Sequence, residues 1–228
     1  MIIIADIGSC HMGKLAYAKE AIDVAKDAGV DIIKFQLFRY AEDWTGTFTG
    51  VLRGPEGNVQ FPRKYWMEVV EYANRQNIDL FASVFDLDAV DLVHKSGIKK
   101  IKLAYSQNFN LKFIKRAKEL GLEIWASGDE ENYPYYADKR LFCIPEYPVK
   151  RGVGNITGDV QIFDGLSSHW FGFAEDIKIF GKMKDWKYLE KHMTLDHDDI
   201  DCPDHWLALS PSELKQMVKE LKEKCLKQ

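Results

Sequence analysis

Two short stretches in the last third of the chain combine residue types that can do chemistry together. Gly165-Leu-Ser-Ser-His169 and Glu190-Lys-His192-Met-Thr194 each belong to a short apolar run that ends in a polar cluster with a histidine, about one strand-helix unit apart. Two imidazoles with a carboxylate beside them and open coordination positions suit Mn²⁺, Mg²⁺ or a similar divalent cation acting as a Lewis acid. A closed, Cys-rich zinc set has no counterpart here. A single histidine at a strand end is more often hydrogen-bonded structure. Two of them on neighbouring strands, with Glu190 close by, favour His169 and His192 as a metal pair.

Lys34 and Lys102 sit inside otherwise apolar strand-like runs. An ammonium group is tolerated there only with a strong anionic partner. One such lysine is more often salt-bridged or snorkelling. Two at equivalent depth point to a site for an anion.

The elements that must position these residues alternate between short β-like runs and amphipathic helical stretches, the pattern of parallel βα units. The runs predict strands at 2–7, 31–36, 78–83, 98–103, 122–126, 140–144, 163–167 and 187–191. Helices are predicted at 15–28, closed by Gly29, at 62–75, and after Asp86 as a cap, with Gly97 closing that third helix. Asn110 is the expected cap of a helix at 111–120. Short crossovers are expected at 130–138 and 155–163, a helix at 174–183, and a terminal helix opened by the capping-box pattern Ser210-Pro-Ser-Glu213. The segment 37–60 has no periodicity and reads as a lid. Eight βα units fit an α/β fold, a small (β/α)₈ TIM barrel. The rival open doubly wound sheet lacks any glycine-rich phosphate-binding turn.

In such a barrel the C-terminal strand ends share one mouth. They would deliver Asp6 with His11 in its loop, Lys34 and Gln36, Ser83, Lys102 with Ser106 and Gln107, Ser127 and Gly128, and Glu146 and Tyr147. The last two strands add Ser167, Ser168 and His169, then Glu190 and His192, with Asp204 and His205 beyond. His94 and His197 read as surface residues, and the acidic run 196–201 as a solvated loop.

With 46% hydrophobic residues in 228 and no Ser/Gly/Pro-rich linker, a single domain spanning 1–228 is expected. The formal net charge of −4 excludes a general basic field for nucleic acid or anionic membrane, while anionic small molecules need only local lysines. Four scattered cysteines without a CxxC pair suggest a reducing, cytoplasmic location. The apolar start is interrupted by Asp6 too early for a signal or membrane segment.

At these residues the chain resembles the sialic acid (N-acetylneuraminate) synthase family. The matching pieces are Ala5-Asp-Ile-Gly8 with His11 and Gly13, Ile33-Lys-Phe-Gln36, Ile101-Lys-Leu103, Tyr147-Pro148, the two histidine-bearing stretches, and Pro203-Asp-His-Trp-Leu-Ala-Leu-Ser210. They run in order over almost the whole chain. The resemblance implies a TIM-barrel synthase that condenses phosphoenolpyruvate with the open-chain aldehyde of an N-acylated amino sugar, N-acetylmannosamine-like, releasing phosphate with the help of a divalent metal. It places His169 and His192 as metal ligands, and Lys34, Lys102, Ser83 and Ser167 on phosphoenolpyruvate. Gln36 and Tyr147 would line the sugar pocket, with Glu190, Asp204 and Asp6 as the catalytic carboxylates. The family usually has Glu at Asp6, Ser-Gly-Glu at Tyr105-Ser-Gln107, Ser-Thr-Gly at Ala126-Ser-Gly128, and Asp at Ser168; these departures predict a donor pocket with fewer hydroxyls. The resemblance covers the barrel and not the C-terminal antifreeze-like domain that members commonly carry. A separate antifreeze-like partner chain or the 37–60 lid is therefore expected to close the site in its place, and a homodimer is the other partner the resemblance allows. Two other readings stay open: an aldolase in which Lys102 or Lys34 forms a Schiff base with pyruvate, and a non-catalytic sugar-binding barrel.

Overall fold

The computed structural model describes residues 1–39, 60–156, 159–183, 185–198 and 204–225. Eight parallel strands close on themselves in sequence order, with β8 pairing back onto β1. They are β1 (Ile2–Gly8), β2 (Ile32–Leu37), β3 (Asp79–Val84), β4 (Lys100–Leu103), β5 (Glu123–Gly128), β6 (Lys139–Phe142), β7 (Gly165–Ser168) and β8 (Tyr188–His192). The helices outside them are α1 (Leu15–Asp27), α2 (Trp66–Gln76), α3 (Leu87–Lys95), α4 (Leu111–Glu119), α5 (Ala174–Phe180) and α6 (Pro211–Cys225). This is the expected (β/α)₈ barrel. No described helix is long and apolar enough to cross a membrane.

Alternation along each strand separates two cores. Ile4, Ile32, Phe81, Trp125 and Leu141 meet inside the barrel, while the opposite strand faces pack with the helices in a much larger outer core. One pleat repeat further along β1, β2, β3 and β5 the interior turns polar, with Asp6, Lys34, Ser83 and Ser127, and Lys102 on β4, Ser167 on β7 and Glu190 on β8 join them. The apolar layer is the floor on which this polar layer stands.

Local expectations fare unevenly. Asp86 caps α3 by accepting from the Ala89 amide at 2.7 Å, and Ser210 and Glu213 form the capping box at the start of α6. Asn110 stands at the N-cap of α4, but its amide donates to Gln107 Oε1 at 3.2 Å instead of capping the helix. The short crossover expected at 130–138 has room for a short helix, but none forms there. Pro134 and a turn in which Asp129 accepts from the Asn132 amide at 2.8 Å take the backbone elsewhere. The β6–β7 crossover shows two single 3₁₀ turns, Val153–Asn155 and Val160–Ile162. Of the lid proposed at 37–60, Leu37 is the last residue of β2, and 40–59 lie outside the described residues.

Candidate active site

Strand register assembles the site. Asp6 pairs with Lys34 on β2 and with His192 on β8; Gln36 lies beside Ser83, Ser83 beside Lys102, and Ser167 beside Glu190. Because these residues share parity near the C-terminal strand ends, their side chains all turn into the barrel mouth.

The two buried ammonium groups meet the protein's own carboxylates. Lys34 Nζ lies 2.8 Å from Asp6 Oδ2 and 3.4 Å from Glu190 Oε1, and donates to Ser83 Oγ at 2.9 Å. Lys102 Nζ donates to both Glu190 oxygens at 2.7 and 2.8 Å, and Ser167 Oγ donates to Oε1 at 2.9 Å. Burial opposes the charge on Glu190, but Lys102 and Lys34 outweigh it and hold the carboxyl far below the usual range. Burial likewise opposes the charge on Lys34, and Asp6 with Glu190 raises it above the ordinary lysine value. For Lys102 burial dominates and pulls the amine down, despite Glu190.

Beside this network stands the histidine pair, with ring centroids 5.5 Å apart. Burial, then the neighbouring His192, lowers His169 well below its ordinary value, so its imidazole is neutral at physiological pH, the form that binds cations. Tyr147 packs against both rings, at 4.9 and 5.9 Å, and donates to Asp204. Asp204 also accepts from Ser9 through its amide at 2.9 Å and its hydroxyl at 2.6 Å. Burial works against the Asp204 charge, and His192, Ser9 and Tyr147 together hold its carboxyl below the usual range. Asp6 accepts from Gln36 Nε2 at 3.0 Å and lies 3.5 Å from His192 Nε2.

A cation fits the chemistry of this corner. His192 Nδ1 is buried with no hydrogen-bond partner among the described residues. Gly8, at φ +54°, leaves space beside it: a Cβ there would fall 2.5 Å from Asp204 Oδ2 and 3.0 Å from His192 Nδ1. Among the described residues, however, no three His, Cys, Asp or Glu side chains form a ready ligand cluster. Two imidazoles, rather than a closed cage, are what the site offers.

Every residue singled out for the site (Asp6, Lys34, Gln36, Ser83, Lys102, Tyr147, Ser167, His169, Glu190, His192 and Asp204) lies in this one constellation. Other strand-end residues do not. Ser168 faces away from the mouth and receives a hydrogen bond from Lys191, and Ala126 is part of the outer core. Both departures from the family pattern therefore lie behind the strands and remove no hydroxyl from the mouth. Tyr105 bonds Asp129 at 2.7 Å and Asn132 at 2.8 Å, and Glu146 pairs with Arg151 at 3.2 Å. Ser127, expected at the mouth from its place at the end of β5, does lie in the polar layer, where its hydroxyl is buried without a hydrogen-bond partner among the described residues. It stands two residues on from the inward-facing Trp125 and so shares its face of the strand.

Comparison with known proteins agrees with this architecture. An N,N'-diacetyllegionaminic acid synthase of Campylobacter jejuni is 28% identical over 256 residues, covering 97% of this chain and 75% of the relative. Human N-acetylneuraminate-9-phosphate synthase is 27% identical over 256 residues, covering 96% and 69%. The crystal structure of an N-acetylneuraminic acid (sialic acid) synthetase from Leptospira borgpetersenii, in complex with citrate, shares the fold with a TM-score of 0.82 at 23% identity, covering 100% of this chain and 85% of that one. The model of the NeuB family matches residues 21–129 and 141–227, most of the sequence, and the chain belongs to that family.

Proposed function

We propose that the chain condenses phosphoenolpyruvate with the open-chain aldehyde of an N-acylated amino sugar, N-acetylmannosamine-like, to give a sialic-type (nonulosonic) acid and phosphate. The observation that carries this is the pair of buried lysines that meet at Glu190, beside the paired imidazoles of His169 and His192. The relatives' names supply the product class.

Lys34 and Lys102, with Ser83 and Ser167, hold the phosphate and carboxylate of the donor. Asp6 and Glu190 already neutralise these lysines, so the incoming anion competes with them and loosens Glu190 from Lys102. Gln36 and Tyr147 line the sugar pocket, and Asp204 and Glu190 orient the acceptor and the attacking water. His169 and His192 would hold a divalent cation, Mn²⁺ or Mg²⁺, which when bound supplies Lewis-acid polarisation of the aldehyde. C3 of phosphoenolpyruvate bonds to the aldehyde carbon, whose oxygen takes a proton and becomes a hydroxyl. Water supplies the oxygen at C2 as phosphate leaves, and the carboxylates stabilise the positive charge that develops there.

The test is phosphate release from phosphoenolpyruvate with Mn²⁺ and a panel of N-acylated hexosamines. Release that depends on one acceptor supports the proposal; none with any acceptor counts against it. One observation favours a second reading: burial shifts Lys102 towards the free amine that a Schiff-base aldolase needs. Borohydride trapping with pyruvate separates the two, because the synthase gives no adduct.

A further inference from the structure

Lys191 stands between Glu190 and His192, so its side chain leaves β8 on the face opposite theirs. It is fully buried between the strand and α5. Its Nζ donates to Ser168 Oγ at 3.1 Å and to the Trp170 carbonyl at 2.6 Å, and lies 3.1 Å from Asp176 Oδ2. Asp176 is equally buried; among the described residues neither of its oxygens receives a hydrogen bond, and Lys191 is its charge partner. Ser168 and Trp170 are the two neighbours of His169. One ammonium group thus fixes both residues that bracket one histidine, while its own backbone is continuous with the other.

We propose that Lys191 is a positioning residue for the His169–His192 pair, setting the end of β7 against the end of β8 from behind the barrel wall. The inference deepens the proposed function, since it assigns that pair the central role. Buried groups that orient cation-binding imidazoles without touching the cation are worth about 10- to 100-fold in affinity.

The test uses the full chain labelled with ¹⁵N-histidine, as wild type, K191M and the double variant K191M/D176L, which leaves no unpaired buried carboxylate. Imidazole ¹H–¹⁵N correlation spectra, assigned with H169Q and H192Q, are recorded beside thermal melts, and Mn²⁺ alone is titrated by electron paramagnetic resonance. The expected result is a folded double variant in which the His169 signals shift or broaden, the His11 signals stay in place, and Mn²⁺ binds about 10- to 100-fold more weakly. A folded variant with unchanged His169 signals overturns the proposal, and so does one whose His11 signals move equally. Unfolding of both variants shows a merely structural role and also overturns it. If wild type fails to bind Mn²⁺, the metal part of the proposed function falls, and the imidazole spectra still decide the role of Lys191.

Discussion

Lys34 and Lys102 are tolerated inside the barrel because Asp6 and Glu190 meet them there, and each carboxylate would be as costly alone as the lysine. Replacing Lys102 with Met leaves Glu190 with only the longer Lys34 contact and Ser167. Urea denaturation is expected to show a loss of about 3 kcal/mol. K102M/E190L should recover most of that stability yet give no phosphate release, which separates folding from function. His11 supplies a second case. Its Nδ1 accepts from the Gly13 amide at 3.0 Å, and burial lowers the imidazole from 6.5 to about 4. The unfolded chain therefore takes up a proton near pH 6.5 that the folded one refuses. Stability from this group is fully present above that pH and is lost as pH falls towards 4, by about 3 kcal/mol in all. Urea midpoints at pH 7 and pH 4.5 should differ less in H11F than in wild type.

At the scale of elements, Gly165 shows how closely β7 and β8 approach. A Cβ there would fall 2.1 Å from the Tyr188 carbonyl oxygen, so Ala must push the strands apart just below Ser167 and Glu190. G97A is the control: Gly97 has φ +85° with open space around its missing Cβ, and Ala there should cost only about 1 kcal/mol of backbone strain. G165A is expected to cost about 3 kcal/mol and to disturb the site; thermal melts of both variants check the order. Removing the capping box with S210A should cost about 1 kcal/mol. The strands and most helices were legible because period and capping are local signals. Ser168 and Ala126 were misplaced at the mouth because sequence locates a strand end more readily than its parity. The turn at 129–138 was missed because its hydrogen bonds come from the Asp129 side chain rather than from a helical period.

Across the whole molecule, barrel closure is what brings residues from opposite ends of the chain together: Asp6 meets His192, and Ser9 meets Asp204. The sequence reading foresaw that gathering once eight βα units were counted, since a closed barrel has only one mouth. Salt-bridging was the common reading for a buried lysine, but that Asp6 and Glu190 are the partners depends on side-chain reach across the barrel and is not written in the sequence. Nor did the sequence reading find the Lys191–Asp176 pair, whose partners lie on separate elements behind the wall. With a net charge of −4 the chain as a whole has no attraction for anions, so the proposed reaction would rely on Lys34 and Lys102 to capture its donor. The most direct measurement is a ¹³C NMR time course with ¹³C₃-labelled phosphoenolpyruvate, Mn²⁺ and the acceptor panel, with phosphate assayed in parallel. The account predicts that the three labelled carbons enter an acid three carbons longer than the acceptor, with one phosphate released per product. Label that remains in phosphoenolpyruvate, or appears only in pyruvate, with every acceptor would contradict it.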